Sequence, residues 1–148
     1  MIDFKDKKVL ITGATGGIGH ALVKKFVSLN ASVLASGTKN EKLDLLKKEF
    51  PNINILKFDI SDHSKIEEFI ENVQSQLVGL DILINNAGIN KDNLSLRMKE
   101  EEWQKVIDVN LGSTFLLCKS AIKKMLKNKY GRIVNITSIV GHTGNLGQ

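Results

Sequence analysis

The stretch Val9-Leu10-Ile11-Thr12-Gly13-Ala14-Thr15-Gly16-Gly17-Ile18-Gly19 decides the fold of this chain. Its three leading apolar residues predict a short buried strand, and the glycines that follow lead into an apolar pattern of helical period. Gly13 allows a turn with positive φ, Gly17 allows a ligand to approach the backbone, and Gly19 allows the helix to pack tightly on the strand. Because the start of a helix presents free N–H groups and a positive dipole end, this turn is predicted to bind a pyrophosphate.

The spacing of these glycines is Gly-x-x-x-Gly-x-Gly, which differs from the Gly-x-Gly-x-x-Gly pattern of many dinucleotide-binding folds. A glycine cluster alone is also compatible with a purely structural turn. This cluster lies near the N-terminus, after a predicted strand and before an amphipathic helix, and that context favours nucleotide binding.

The composition is that of a single globular domain, spanning residues 1–148. Hydrophobic residues make up 42% of the 148 residues and charged residues 25%, which is sufficient for one sizeable core. The lone Cys118 excludes an intramolecular disulfide, and the N-terminus carries no apolar signal region, so a cytoplasmic protein is expected. No apolar run approaches the length of a membrane span, and no membrane association is expected.

The net charge of +5 suits an acidic substrate or an acidic partner. The basic residues are scattered through predicted helices and aromatic residues make up only 5% of the chain, so nucleic-acid binding is not expected. The three histidines show no metal-ligand spacing with one another or with Cys118, and no metal site is expected.

Five predicted strands alternate with four predicted helices, a pattern typical of an α/β fold. The strands are predicted over residues 7–12, 31–37, 53–58, 80–85 and 132–137. The helices are predicted over 16–29, over 40–50, from a cap at Ser61 or Asp62 to Leu77, and over 99–128 with a break near Gly112. No further element is predicted after Ser138. The alternation indicates a Rossmann-like parallel sheet with helices on both faces.

The loop after the second strand indicates which dinucleotide is preferred. A NAD-binding fold commonly places Asp or Glu there to bind the ribose 2′-hydroxyl, whereas this chain has Ser36-Gly37-Thr38-Lys39. A 2′-phosphate would meet no repulsion at this place and could bind the hydroxyl of Thr38 and the charge of Lys39. The pattern therefore favours NADP(H) over NAD(H), with an uninvolved polar turn as the alternative.

Three further loops follow strands and supply candidate ligand contacts. Asp59-Ile60 could bind an adenine amino group and pack on its ring, or form only a turn. In Asn85-Asn86-Ala87-Gly88 the small residues allow close backbone approach, and the amides could fix loops or a ribose, although the four residues could equally form a plain tight turn. Ser138 stands where a hydroxyl would point toward a bound nicotinamide, although serine at such a place is also a common helix cap.

Together these motifs resemble those of the short-chain dehydrogenase/reductase family. The segments that carry the resemblance are Thr12 to Gly19, Asp59-Ile60, Asn85 to Gly88, Asn110 and Ser138. Within the family, the chain is most similar to the reductases that act on β-ketoacyl thioesters of acyl-carrier protein in fatty-acid synthesis. The runs that carry this narrower similarity, several of which sibling alcohol dehydrogenases and reductases share, are Asn85 to Asn93, Met98 to Trp103, Tyr130 to Val134 and Gly144 to Gln148.

The resemblance implies a role for each matching residue in an NADPH-dependent reduction. The pyrophosphate and its ribose would be bound by the turn formed by Gly13, Ala14, Thr15, Gly16, Gly17, Ile18 and Gly19. Thr38 would contact the 2′-phosphate region, Asp59 and Ile60 the adenine, and Asn86, Ala87 and Gly88 the ribose side. Ser138 would hydrogen-bond the substrate carbonyl, and Asn110 would hold a water in the proton relay. Lys127, Lys129 and Arg132 would meet the acidic carrier protein.

The chain departs from the family pattern at its C-terminal end. The family's catalytic Tyr-x-x-x-Lys pair lies beyond the serine, and these 148 residues do not contain it; Tyr130 is followed at the fourth position by Val134 and precedes a strand. The domain is therefore expected to be C-terminally incomplete, with the strand order 3-2-1-4-5 that the resemblance implies, low activity of its own, an exposed edge strand and no normal family tetramer. A partial sequence of an active reductase, a catalytically inactive short product and a nucleotide-binding or interaction module remain alternatives.

Overall fold

Five parallel strands form one sheet in the order β3-β2-β1-β4-β5 in the computed structural model, which describes residues 3–148. The strands are β1 (Lys8–Ile11), β2 (Ser32–Gly37), β3 (Asn54–Lys57), β4 (Ile82–Asn85) and β5 (Arg132–Asn135). Each observed strand lies within its predicted range, and the predicted strand order is confirmed. The strands β2 and β3 lie on one side of β1, and β4 and β5 lie on its other side. β1 and β4 are therefore neighbours near the centre of the sheet.

The helices pack on both faces of the sheet. They are α1 (Gly17–Ser28), α2 (Asn40–Glu49), α3 (Ile66–Leu77), α4 (Glu100–Val106), α5 (Ser113–Lys127) and the single turn α6 (Val140–Thr143). A 3₁₀ turn (His63–Lys65) precedes α3, and a π-helical segment (Ile107–Gly112) joins α4 to α5.

Three details of the helix prediction are wrong. The predicted break near Gly112 is a π segment within a continuous helical run, and α6 follows β5 where no element was predicted. Asp62 occupies the position before the 3₁₀ turn, but its carboxylate makes no capping bond to the backbone and instead accepts the hydroxyl proton of Ser64 at 2.6 Å.

The core has two halves, one on each face of the sheet, because successive strand residues point to opposite sides. On one face Leu10 and Leu83 pack with residues of α3 and α5. On the other face Val9, Ile11 and Ile84 pack with residues of α1 and α2. These strand residues are at most 2% exposed, and each fully buried aliphatic side chain contributes about 1.5–3 kcal/mol to folding.

Apolar side chains are exposed along the β5 side of the molecule. β5 is an edge strand of the sheet within residues 3–148, and Val134 is 44% exposed. Leu111, Phe115 and Leu126, on the π segment and α5, are also largely exposed. In the described part of the chain no helix is both long enough and apolar enough to cross a bilayer.

Candidate cofactor site and active site

A cavity of about 450 Å³ opens at the carboxyl edge of the sheet, where loops after the strands meet. This is the place at which open α/β sheets bind ligands. The residues that line it are Gly13, Thr15, Gly16, Gly17, Ile18, Gly19, Ser36, Gly37, Thr38, Phe58, Asp59, Ile60, Asn86, Ala87, Gly88, Ile89 and Val109. The fold thus brings together the segments after β1, β2, β3 and β4 that the sequence singled out.

The glycines of the turn after β1 have the conformations that the sequence predicted. Gly13 has a φ of +61°, and a Cβ there would lie 2.7 Å from the Cα of Ala87. A Cβ on Gly19 would collide with the carbonyl oxygen of Gly13, so only glycine allows α1 to start so close to the turn. A Cβ on Gly17 would meet no atom within 4 Å, which leaves this backbone open to a ligand.

The N-terminus of α1 is suited to an anion. Gly16 precedes the helix in an extended conformation, the first turn carries no acidic side chain, and no side chain caps it. Because the first N–H groups of a helix lack intrahelical acceptors and lie at the positive end of the dipole, they attract phosphate oxygens. Ile18, which the prediction placed in the same turn, is 60% exposed and lines the cavity.

A hydrogen-bond network centred on Thr12 fixes the turn after β1 to the loop after β4. The Thr12 hydroxyl oxygen accepts the backbone N–H groups of Asn86 and Ala87, both at 3.1 Å. The side-chain amide of Asn86 donates to the carbonyl oxygens of Thr12 and Gly13, both at 3.0 Å. Asn86 therefore fixes loops, one of the two roles that the sequence left open for it.

Ala14 differs from the other predicted cofactor residues because it is fully buried and does not line the cavity. Its backbone N–H donates to the carbonyl oxygen of Ser36 at 2.9 Å. The bond ties the glycine turn to the end of β2, so the structure gives Ala14 a supporting position.

The end of β2 presents hydroxyl groups and no carboxylate to the cavity. Ser36 and Gly37 are buried, whereas Thr38 is exposed and lines the cavity. A Cβ on Gly37 would lie 3.3 Å from the hydroxyl of Thr15, so the end of β2 packs closely on the glycine turn. Lys39 follows as the residue that precedes α2.

Asp59 and Ile60 line the side of the cavity that follows β3. The Oδ1 of Asp59 accepts the backbone N–H of Ser61 at 2.9 Å and its hydroxyl proton at 2.8 Å. Asp59 thus stabilises a turn, the alternative role that the sequence left open for it. Both of these bonds use one carboxylate oxygen, and Asp59 is the only acidic residue in the cavity lining.

Asn110 lies on the π segment and holds the loop after β4 through both ends of its side-chain amide. Its Oδ1 accepts the backbone N–H of Ile89 at 2.8 Å, and its Nδ2 donates to the carbonyl oxygen of the same residue at 2.7 Å. A Cβ on Gly88 would lie 3.1 Å from this Oδ1. Close packing at Gly88 and the paired bonds at Ile89 place Asn110 beside the cavity.

Ser138 follows β5 and lies outside the cavity lining. It is exposed, and its hydroxyl oxygen accepts the backbone N–H of Val140 at 3.2 Å at the start of α6. This is a local turn bond, since Ile139 and not Ser138 directly precedes α6 and no side chain caps that helix. Because the oxygen serves as the acceptor, the hydroxyl proton can still be donated to a substrate.

Asn85 and Asn135 face each other across β4 and β5 beneath this edge. The Nδ2 of Asn85 donates to the Oδ1 of Asn135 at 2.9 Å and lies 3.3 Å from the sulfur of Cys118. Asn85 is 4% exposed, and its Oδ1 has no partner among the described residues. Burial raises the pKa of the Cys118 thiol, because the charged thiolate is disfavoured away from water.

Sequence reasoning missed several residues of this site. Thr12 was quoted in the deciding stretch but given no role, although a hydroxyl between a strand and a glycine turn is a recognisable signal for a loop bond. The cavity-lining residues that were not predicted as ligand contacts are Ser36, Gly37, Phe58, Ile89 and Val109. Of these, Val109 carries no local signal, because its place depends on how the π segment folds against the loop after β4.

Comparison with known proteins assigns this fold and site to a family. A family model of the short chain dehydrogenases matches residues 7–148. The chain therefore belongs to the short-chain dehydrogenase family, a class of oxidoreductases.

Named relatives align with this chain over all or nearly all of its length. The chain is 47% identical over 148 residues to the 3-oxoacyl-[acyl-carrier-protein] reductase FabG of Rickettsia bellii, covering 100% of this chain and 60% of that protein. It is 39% identical over 152 residues to the reductase of the same name from Aquifex aeolicus, covering 99% of this chain and 61% of that protein. The chain thus spans about 60% of the length of the curated relatives it matches.

A solved structure has the same fold. A protein from Agrobacterium tumefaciens, provisionally named a gluconate dehydrogenase, superposes with a TM-score of 0.93 at 31% sequence identity. The match covers 99% of this chain and 59% of the other.

Proposed function

We propose that this chain forms the cofactor-binding part of an enzyme that uses NADPH to reduce a β-ketoacyl thioester on acyl-carrier protein to the β-hydroxyacyl form. The observation that carries the proposal is a glycine turn that opens into a cavity whose β2 side has no carboxylate. The identity of 47% to a 3-oxoacyl-[acyl-carrier-protein] reductase supports the choice of substrate.

The cavity residues fit a phosphorylated dinucleotide. The open backbone at Gly17 and the uncapped start of α1 suit the pyrophosphate. Thr38 and the neighbouring Lys39 suit a 2′-phosphate, because a hydroxyl donor and a positive charge stabilise it. Asp59 and the apolar Ile60 suit the adenine. When bound, the nicotinamide supplies the hydride that reduces the carbonyl carbon.

Two residues of the chain are assigned to the reaction itself. The Ser138 hydroxyl is free to donate its proton toward a substrate carbonyl oxygen, where it would stabilise developing negative charge. Asn110 borders the cavity and is held by the loop at Ile89; we assign it to a water in the proton relay. The carbonyl oxygen must take up a proton when hydride adds to the carbon. We propose that full activity needs a proton donor in addition to Ser138 and Asn110, because removal of a positioned donor lowers rates by about 10²–10⁴-fold.

The carrier protein is the partner that the charge pattern supports. Lys127 is the last residue of α5, Lys129 follows it in the connecting loop, and Arg132 is the first residue of β5. The Lys7 ammonium lies over the ring of Tyr130, 4.0 Å from its centroid, and the Arg132 guanidinium lies 5.0 Å from the same centroid. A cationic surface of this kind would raise the rate of encounter with an acidic protein.

Self-association and location follow from the same proposal. The exposed apolar side chains of Phe115 and Leu126 on α5 suit contact with a second subunit. The lone Cys118 suits a reducing compartment, and we place the enzyme in the cytoplasm.

A second candidate is a dehydrogenase that acts on a sugar acid or a simple alcohol. The structural match to the protein provisionally named a gluconate dehydrogenase favours it. Both candidates share the cofactor site, since the residues that would separate them contact the substrate.

The test compares substrates at a fixed NADPH or NADP⁺ concentration, with the protein expressed from its complete reading frame. We expect oxidation of NADPH with a β-ketoacyl thioester to exceed that with a simple ketone, and little reduction of NADP⁺ with gluconate. Replacement of Lys127, Lys129 and Arg132 by Ala should lower turnover of the carrier-bound thioester and leave a small soluble thioester unaffected. No turnover of any thioester would contradict the substrate assignment.

A further inference from the structure

A hydrogen-bond chain links the loop after β3 to the π segment, apart from the residues assigned above. The Nε2 of His63 lies 3.0 Å from the carbonyl oxygen of Asp108 and 3.1 Å from the hydroxyl oxygen of Ser113. The Ser113 hydroxyl donates to the carbonyl oxygen of Ile60 at 2.6 Å, and Ser113 is fully buried. The same hydroxyl oxygen also lies 3.1 Å from the carbonyl oxygen of Asp108, a longer distance.

The bond lengths fix which groups donate. Because the Ser113 proton is used on the short bond to Ile60, the Ser113 oxygen acts as an acceptor toward the histidine ring. The carbonyl oxygen of Asp108 accepts as well. The network therefore makes the Nε2 of His63 a donor whose proton is shared between the Ser113 hydroxyl oxygen and the Asp108 carbonyl oxygen.

The π segment carries Asn110 and depends on tertiary contacts for its shape. The backbone N–H of Ser113 bonds to the carbonyl oxygen of Asp108, the spacing that defines a π turn. The same carbonyl oxygen receives the His63 donor. A Cβ on Gly112 would lie 3.0 Å from the Cε1 of His63, so the ring packs directly against the backbone of this turn.

We propose that His63 is a positioning residue that clamps the π segment and so holds Asn110 in place against Ile89. The clamp rests on the contacts of the ring, and the consequence for turnover rests on the proposed function, in which Asn110 takes part. Through Ser113 the clamp also reaches the carbonyl of Ile60, a residue of the cavity wall. His63 thus connects two sides of the cavity without lining it.

The first test is amide hydrogen exchange, which requires no catalytic activity. His63→Phe keeps a planar ring and removes both hydrogen-bonding nitrogens, whereas His63→Gln keeps an N–H donor at a similar distance from the backbone. We expect exchange at Ser113 and Ile89 to be about tenfold faster in His63→Phe and within about threefold of the parent in His63→Gln. Amides of the central strands, such as Leu10, should be unchanged in both variants.

The matched control is His20→Phe. His20 lies on α1, and its ring Nε2 lies 2.8 Å from the carboxylate of Glu49. This variant should leave exchange at 107–113 unchanged. Uniform acceleration across the sheet in His63→Phe, or no acceleration at the π segment, would overturn the clamp. If His63→Phe does not fold, Gly112→Ala displaces the ring instead and should accelerate the same amides.

The second test separates positioning from general stability in the protein from the complete reading frame. We expect kcat for thioester reduction to fall about tenfold in His63→Phe and to recover in His63→Gln, with the Kd for NADPH within about threefold of the parent. Equal kcat values in both variants and the parent would overturn the positioning role. If the parent itself reduces no carbonyl substrate, the proposed function fails, and the exchange experiment alone decides the clamp.

Discussion

The hydroxyl oxygen of Thr12 accepts the backbone N–H of Asn86 at 3.1 Å, and the side-chain amide of Asn86 donates back to the carbonyl oxygen of Thr12 at 3.0 Å. The two residues are 74 positions apart in the chain. This reciprocal pair joins the ends of β1 and β4 beneath the cavity. Since Thr12 is fully buried, water cannot replace the bonds, and the two loops hold one relative geometry.

Removal of the Thr12 hydroxyl tests this link. Thr12→Val keeps the shape of the side chain but leaves the N–H groups of Asn86 and Ala87 without their acceptor, and we expect a loss of about 1–3 kcal/mol in the free energy of unfolding. Thr12→Ser keeps the hydroxyl and should lose less. Urea denaturation measures both.

The matched control for this change is Thr143→Val. The hydroxyl of Thr143 is exposed and bonds only to the carbonyl oxygens of Ile139 and Gly144 in its own turn, so its loss should change stability by no more than about 0.5 kcal/mol. Equal effects of the two threonine substitutions would contradict the structural role of Thr12.

The tight packing at Gly19 predicts a severe effect of a single methyl group. In Gly19→Ala the new Cβ overlaps the carbonyl oxygen of Gly13 and the Cα of Ala14, and overpacking of this kind costs about 1–3 kcal/mol or more. Gly141→Ala is the matched control, because a Cβ there meets no atom within 4 Å. Thermal unfolding should show a lower Tm for Gly19→Ala alone; similar Tm values for both variants would be inconsistent with the observed packing.

The absence of a carboxylate at the end of β2 predicts the cofactor preference. Thr38→Asp places a negative charge where we assign the 2′-phosphate, and like-charge contact should raise the Kd for NADPH at least about tenfold while NADH is little affected. Ser75→Asp adds the same charge on the exposed side of α3 and serves as the control. Fluorescence titration with both nucleotides gives the answer, and an unchanged NADPH affinity in Thr38→Asp would place the 2′-phosphate elsewhere.

Cys118 is half-buried, and its thiol is predicted to react slowly. Burial raises the pKa of this group, and because the thiolate is the reactive form, alkylation by iodoacetamide in the native state should start at higher pH than in urea. The unfolded chain loses the thiol proton first as pH rises. Stability is therefore unaffected below the ordinary thiol pKa and falls above it. A native alkylation rate equal to that in urea would contradict the burial.

Much of the fold could be predicted because its signals are local. Val9 to Ile11 and Ile82 to Ile84 are continuous apolar runs, which are typical of parallel strands buried on both faces. Gly13 and Gly19 follow directly from the demands of a strand–turn–helix unit. The alternation of elements indicates right-handed crossovers and a parallel sheet, whereas the strand order came from the family resemblance, because the same alternation also fits the order 2-1-3-4-5.

The rest depends on contacts between distant parts of the chain. The π segment is held by the bond between Ile89 and Asn110 and by the bond between His63 and Asp108. No sequence pattern within residues 99–128 predicts a π helix there. The fixing role of Asn86 arises in the same way, whereas the hydrogen bonds of the single turn α6 lie within residues 138–144. Local sequence indicated which residues would meet at the cavity but not which of them hold the others in place.

Binding of a phosphorylated dinucleotide at the turn after β1 is the central claim, and titration of the protein with NADPH tests it most directly. The account predicts saturable fluorescence or calorimetric binding with a Kd between about 1 μM and 1 mM, the usual range for enzyme ligands, and weaker binding of NADH. No response at NADPH concentrations of about 1 mM, from a protein shown to be folded, would contradict it.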